Sequence, residues 1–190
     1  SLLLSGTSSR FNVDSLRRSL SDSVSSPTIK KFIAYGEEAY LISELILYSH
    51  KPRVRIKSDR KIYTVDNGLF NAKNINFSDN HGLLLENAVF NELRNRGFRP
   101  NESLFYYITR SGFEVDFITR KGHKNKEAIQ VCHSLKRLKT RERELRALRE
   151  AAEELEISRL RIITMNEESS ECIADKNIEV VAAKRWLLET

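Results

Sequence analysis

The stretch Ser111-Gly112-Phe113-Glu114-Val115-Asp116-Phe117-Ile118, followed by Ala128-Ile129-Gln130-Val131-Cys132, decides how this chain is read. It predicts two short strands joined as a hairpin. Residues i and i+2 of a strand face one side. Glu114 and Asp116 are therefore expected to point together, and Phe113, Val115 and Phe117 to point away into a core. Two neighbouring carboxylates repel unless a cation, a base or water receives them. A divalent metal that activates water beside a phosphodiester is one such recipient.

The elements around this hairpin follow from periodicity. Gly82 to Arg96 reads as a helix with Leu85, Val89 and Leu93 on one face, ended by Gly97. Leu104–Thr109, Phe113–Thr119 and Glu127–Cys132 read as three strands. Thr140 to Leu155 reads as a helix with an apolar stripe of Leu145, Leu148, Ala152 and Leu155. Leu160–Met165 and Ile178–Val181 read as two more strands, and Lys184 to Leu188 as a short final helix. This α-β-β-β-α-β order predicts a mixed sheet flanked by helices, an α/β (α+β) fold.

The first third reads differently. Residues 1–10 are Ser-rich and are expected to be linker. Asn12 to Leu20 is a helix candidate with Asn12 as N-cap, and a second helix runs from Pro27 to Ala39, capped by Ser25 or Ser26. Leu41–Tyr48 and Arg53–Lys57 read as two strands, and Lys61–Leu69 as a strand running into the turn at Asn67-Gly68. Two helices and a two-stranded ribbon predict a winged helix over residues 11–70. Arg53, Arg55 and Lys57 alternate on one face of the second strand, and Lys30 and Lys31 lie on its recognition helix. These five cations are the candidate nucleic-acid contacts. The polar stretch 71–81 is the expected connector, with the second domain over residues 71–190.

Bulk properties narrow the function. The chain has 190 residues and a net charge of +6. The charge is concentrated: residues 119–149 carry 11 Lys and Arg against 3 acids, whereas residues 150–190 carry 5 against 10. A basic segment beside a carboxylate pair suits a polyanionic partner. No apolar run reaches the roughly 18 residues of a membrane span, and no signal peptide is evident, so a cytoplasmic protein without a membrane partner is expected. Two cysteines, Cys132 and Cys172, fit a reducing compartment and show no zinc-ligand spacing. The chain opens with Ser1, as expected of a processed product or a piece of a longer polypeptide. No Gly-x-x-x-x-Gly-Lys-Ser/Thr is present, so no ATP site of that type is expected.

The helix, three-stranded meander, helix and strand resemble the core of the PD-(D/E)xK nuclease superfamily. That resemblance implies an acid from the first helix, an Asp from the second strand and an acid-x-Lys from the third. The matching positions are Glu86, Asp116, and Gln130 with Cys132. Thr28 to Leu41, Lys61-Ile62-Tyr63-x-Val65-Asp66-x-Gly68-Leu69, Leu84-Leu85-Glu86-Asn87 and Ser111 to Phe117 together resemble the C-terminal region of a group of archaeal and bacterial AAA+-type ATPases. The start at Thr140-Arg141-x-Arg143-Glu144, the strand Ile162-Ile163-Thr164 and the end from Val180-Val181 to Trp186-Leu187 extend the likeness.

The resemblance implies an upstream ATPase as partner and a winged helix followed by a nuclease-like domain. Glu86 and Asp116 are the implied ligands of Mg²⁺, with Gln130 the third catalytic position. Gln130 and Cys132 depart from the pattern, since neither supplies the expected charge, and Lys126, Lys136 and Lys139 are the nearby lysines that could serve instead. Three readings stay open. One is a degenerate nuclease-like region that binds nucleic acid or a partner. The second is an active Mg²⁺-dependent nuclease. The third is a protein–protein assembly module. Quieter roles also stand: Glu86 as an acid favouring its helix dipole, Glu114 paired with a nearby arginine such as Arg110, and Asp66 as a turn residue.

Overall fold

The computed structural model describes residues 8–20, 24–68, 81–173 and 175–189. The Ser-rich start up to residue 7 and the expected connector and boundary at 71–80 lie outside the described residues. The fold is mixed α/β with two sheets.

Strand β1 (Arg10–Phe11) leads into helices α1 (Val13–Leu20) and α2 (Ser26–Glu38). The predicted caps are in place: Ser15 N donates to Asn12 Oδ1 at 2.6 Å, and Thr28 N donates to Ser25 Oγ at 3.3 Å. Then follow β2 (Ile42–Ile46), α3 (Pro52–Lys57) and β3 (Arg60–Thr64). The three strands form an antiparallel sheet in the order β1-β3-β2. Ile29, Ile33, Ile42 and Ile62 make a small core between this sheet and its helices.

Two expectations fail in this region. Arg53 to Lys57 is a helix, not a strand, so Arg53, Arg55 and Lys57 do not share a strand face. Pro52 at the first helical turn presets the dihedral and needs no N–H there. The central strand β3 already has β1 on one side and β2 on the other, so the place beside it is taken. On a helix, Arg53 and Lys57 share a side and Arg55 points elsewhere. The strand expected to run from Lys61 into a turn at Asn67-Gly68 ends at Thr64.

The second part holds α4 (His81–Asn95), β4 (Leu104–Ile108), β5 (Glu114–Lys121), β6 (Lys124–Val131), α5 (Leu138–Leu155), β7 (Arg159–Thr164), β8 (Ser169–Ile173), β9 (Lys176–Ala182) and α6 (Ala183–Leu188). The expected α-β-β-β-α-β order is present. Its six-stranded sheet runs β4-β5-β6-β7-β9-β8. The β4-β5-β6 meander is antiparallel, and α5 returns the chain to β7, parallel to β6. Edge strand β8 was not foreseen. Its polar residues Ser169, Ser170 and Glu171 leave no strong apolar alternation to read.

Helices cover both faces of the large sheet. On one face α5 packs Leu145, Leu148, Ala151 and Ala152 against Val115, Ile118, Ala128 and Ile162. On the other face Leu85, Val89, Phe90 and Leu93 of α4 and Trp186 of α6 meet Phe117, Ile129 and Ile163. Leu45 and Tyr63 of the small sheet, and Leu47 just after β2, join this second core. Backbone bonds add to it: Tyr48 N donates to Tyr106 O at 2.7 Å, and the Asn101 side chain accepts from Ile46 N at 2.8 Å. No helix among the described residues is long and apolar enough to cross a membrane.

A register shift between Phe105 and Tyr107 places two residues of β5, Asp116 and Phe117, opposite Tyr106. This bulge breaks the alternation. Val115 faces the α5 core, while Phe117 faces the α4 core with Tyr63 and Phe90. Phe117 therefore does not lie on the side of Val115, as strict period 2 predicted. Bulges are frequent beside functional sites because they re-aim a side chain.

Candidate functional site

Three acids meet one buried lysine. Strand β3 alternates: Ile62 enters the small core, whereas Lys61 and Tyr63 point the other way, toward the large sheet. Lys61 is 1% exposed. Its Nζ lies 2.8 Å from Glu86 Oε1, 2.7 Å from Glu114 Oε1 and 2.9 Å from Asp116 Oδ1. Glu86 comes from the second turn of α4, and Glu114 and Asp116 come from one face of β5, as expected. An ammonium has three N–H donors, and here each meets a different carboxylate.

Further bonds hold the acids in place. Tyr63 Oη donates to Glu86 Oε1 at 2.7 Å. Val131 N donates to Asp116 Oδ2 at 2.9 Å. Glu114 Oε2 pairs with Arg10 at 2.8 Å, so Glu114 pairs with an arginine, Arg10 rather than Arg110, as well as with Lys61. The Arg110 amide donates instead to Glu154.

Gln130 does not turn its oxygen toward the acids. Its Oε1 accepts from Asp116 N at 3.2 Å, and its Nε2 donates to Glu144 Oε2 at 2.5 Å. Glu144, from α5, also pairs with Arg143. Glu144 thus brings a carboxylate to the position where Gln130 lacks one. Cys132 is buried beside them, and burial pushes its thiol up to about 12, so it stays protonated at neutral pH.

Burial governs the charges. It raises the Glu86 carboxyl to about 8, with the Asp116 charge adding and Lys61 opposing. Burial alone would lower Lys61, but Asp116 and Glu86 outweigh it and hold the ammonium well above its ordinary value. Glu144 is raised by burial against its bonds to Arg143 and Gln130.

Asn87, fully buried next to Glu86, ties α4 to β3. Its Oδ1 accepts from Thr64 N at 2.9 Å, and its Nδ2 donates to Thr64 O at 3.0 Å and to Asn67 Oδ1 at 2.8 Å. These bonds hold β3 in the position that delivers Lys61.

The cluster floors a cleft of about 810 Å³. Its lip carries Lys136, Arg137 and Arg143, with the first turns of α4 (Gly82, Leu83) and α5 (Thr140) opening on it. Neither helix has an acid in its first turn. The rings of His81 and His133 stand 5.6 Å apart. Among the described residues, no acid lies within ion-pair distance of Lys136 or Arg137. Of the three lysines considered from sequence, Lys136 alone lines the cleft, and Lys126 and Lys139 do not. Lys30, Lys31, Arg53, Arg55 and Lys57 do not line it either. They sit on α2 and α3, with Arg55 half-buried and the others exposed.

The Mg²⁺ that the nuclease resemblance implies does not fit this donor set as folded. Mg²⁺ takes oxygen ligands at about 2.0–2.1 Å in near-octahedral geometry. The oxygens of Glu86, Glu114 and Asp116 are instead spaced around an ammonium, and Gln130 bonds elsewhere. Among the described residues no three His, Cys, Asp or Glu side chains are arranged to hold a metal.

Lys61 is the member of the cluster that sequence reading missed. The available signal was the i, i+2 spacing of Lys61 and Tyr63, which puts the lysine on the same strand face as a large aromatic side chain, together with acids in need of a cation.

Residues 81–186 match the model of the domain of unknown function DUF4143, and residues 1–80 match that of the domain of unknown function DUF8612. An uncharacterized protein of Methanocaldococcus jannaschii is 39% identical over 182 residues, which cover 93% of this chain and 40% of that protein. The chain thus spans about 40% of the length of that relative. No solved structure matches. With more than half of its length matched by one family model, the chain belongs to the DUF4143 family.

Proposed function

We propose that this chain is the C-terminal accessory region of a longer ATPase, and that it binds nucleic acid in the cleft without cutting it. The observation that carries the reading is the lip of the cleft. Lys136 and Arg137 extend from it without an acidic partner among the described residues, and two helix N-termini open beside them. Cations and helix N-termini attract phosphate. Below the lip, Glu86, Asp116 and Gln130 are bonded to protein groups, which supports binding over metal-dependent cleavage. The helices α1 and α2 against the β1-β3-β2 sheet support a winged-helix reading of the first part, with α3 where a strand of the wing was expected.

The test is fluorescence anisotropy with labelled single- and double-stranded DNA and RNA at several salt concentrations. Tight binding with a steep salt dependence is expected. Lys136→Glu/Arg137→Glu is expected to weaken it at least tenfold, and Lys30→Glu/Lys31→Glu to report on α2 separately. No binding at low salt would overturn the proposal.

A second reading, a protein assembly module, is supported by a different observation. Phe32, Tyr35 and Tyr40 are 59%, 60% and 78% exposed on and just after α2. Large exposed apolar side chains grouped in this way suit a protein contact.

A further inference from the structure

We propose that the Glu86–Glu114–Asp116 cluster is a cation site whose occupant is the Lys61 ammonium, delivered by the small sheet, and that this ammonium keeps divalent metal out. The inference concerns the floor of the cleft and does not depend on what binds at its lip.

The geometry is that of a filled site. Three carboxylate oxygens from α4 and β5 surround Nζ at 2.7–2.9 Å, one for each N–H. Lys61 has almost no exposure, so water does not share the work. A buried cation at this depth is tolerated only when paired and hydrogen-bonded, and the same holds for the acids. A divalent ion would need the same oxygens. Two cations cannot use them together, because their repulsion in a poorly screened interior is severe.

The cation also comes from another part of the chain. Lys61 lies 25 residues before Glu86 and 55 before Asp116, on the central strand of the other sheet. Metal binding and seating of β3 against β5 therefore compete. By linkage, whatever favours one disfavours the other.

The experiment is a Mn²⁺ titration followed by electron paramagnetic resonance, with folding checked by circular dichroism. The wild type is expected to bind no Mn²⁺ that Asp116→Asn removes. Lys61→Met, which clears the ammonium, is expected to gain one Mn²⁺ at least about tenfold tighter than any wild-type binding. Lys61→Met/Asp116→Asn is expected to lose it again. Where Lys61→Met does not fold, Lys61→Gln, which also removes the ammonium but keeps a hydrogen-bonding side chain and all three carboxylates, carries the same comparison. Two results overturn the proposal. One is a wild-type Mn²⁺ site abolished by Asp116→Asn. The other is a folded Lys61 variant that binds Mn²⁺ no better than the wild type.

Discussion

Lys61 and Asp116, 55 residues apart in sequence and on different sheets, meet at 2.9 Å in the interior. This contact, with the matching bonds to Glu86 and Glu114, makes one charge group out of the two halves of the chain. Removing one partner of a buried ion pair leaves the other charge uncompensated, which costs about 3–5 kcal/mol. Lys61→Met is expected to lower stability by that order in urea unfolding. Asp116→Asn keeps a hydrogen-bond acceptor and removes one repelling charge, so it is expected to cost less. Equal losses in the two variants would count against a charge-based role for Lys61.

The raised Glu86 carboxyl sets a pH dependence. Its folded value, about 8, lies above the ordinary 4.5. The folded state therefore binds the proton more tightly than the unfolded state across this interval. Stability from this group is fully present below about 4.5 and declines as pH rises toward 8. Burial raises Glu44, Glu127 and Glu144 as well, and each acts in the same direction. Melting temperatures measured from pH 5 to pH 8.5 are expected to fall with pH. Glu86→Gln cannot ionise, and its slope should be visibly shallower. A slope unchanged by the substitution would show that Glu86 does not titrate in this window.

Asn87 satisfies both the N–H and the C=O of Thr64. Asn87→Ala would take the side-chain acceptor from the buried Thr64 N–H, at about 1–3 kcal/mol, while Thr64 O keeps its bond from Asn91 Nδ2 at 2.9 Å. The expected readout is local as well as global. Hydrogen exchange at Thr64 and its β3 neighbours should accelerate more than exchange in β7, which Asn87 does not touch. Uniform acceleration would mean that Asn87 acts on overall stability only.

Gly112 closes the turn between β4 and β5 with φ +86, its amide donating to Thr109 O at 2.9 Å. A side chain there meets open space, so the cost of one is conformational. Gly112→Ala is expected to lose about 1–2 kcal/mol, measured by denaturant midpoint. It should also shift the NMR signals of Glu114 and Asp116 through the strand they share with this turn.

Much of the scaffold was legible in order. The apolar faces of α4 and α5 are set by residues three and four apart, such as Leu85, Val89 and Leu93, and burial follows that spacing. The pairing of Glu114 and Asp116 on one face of β5 follows from period 2. Periodicity failed where pairing or packing decided the outcome. Arg53 to Lys57 alternates like a strand, yet with Pro52 at the first turn and the place beside β3 taken it is a helix. The bulge opposite Tyr106 turned Phe117 to the face that Val115 does not use.

The sequence by itself determined that a pair of acids stands on one strand and that the third-strand positions Gln130 and Cys132 lack the charge expected of them. Local spacing suffices for this, because it depends only on strand geometry. Only the tertiary structure decided what neutralises those acids. Lys61 read only as the first residue of a strand. The docking of the small sheet on the large one buries it, since Tyr63 and Leu45 complete the core of α4 and draw Lys61 in with them. Which face of β3 becomes interior is set by the sheet packed against it, and no local pattern specifies that.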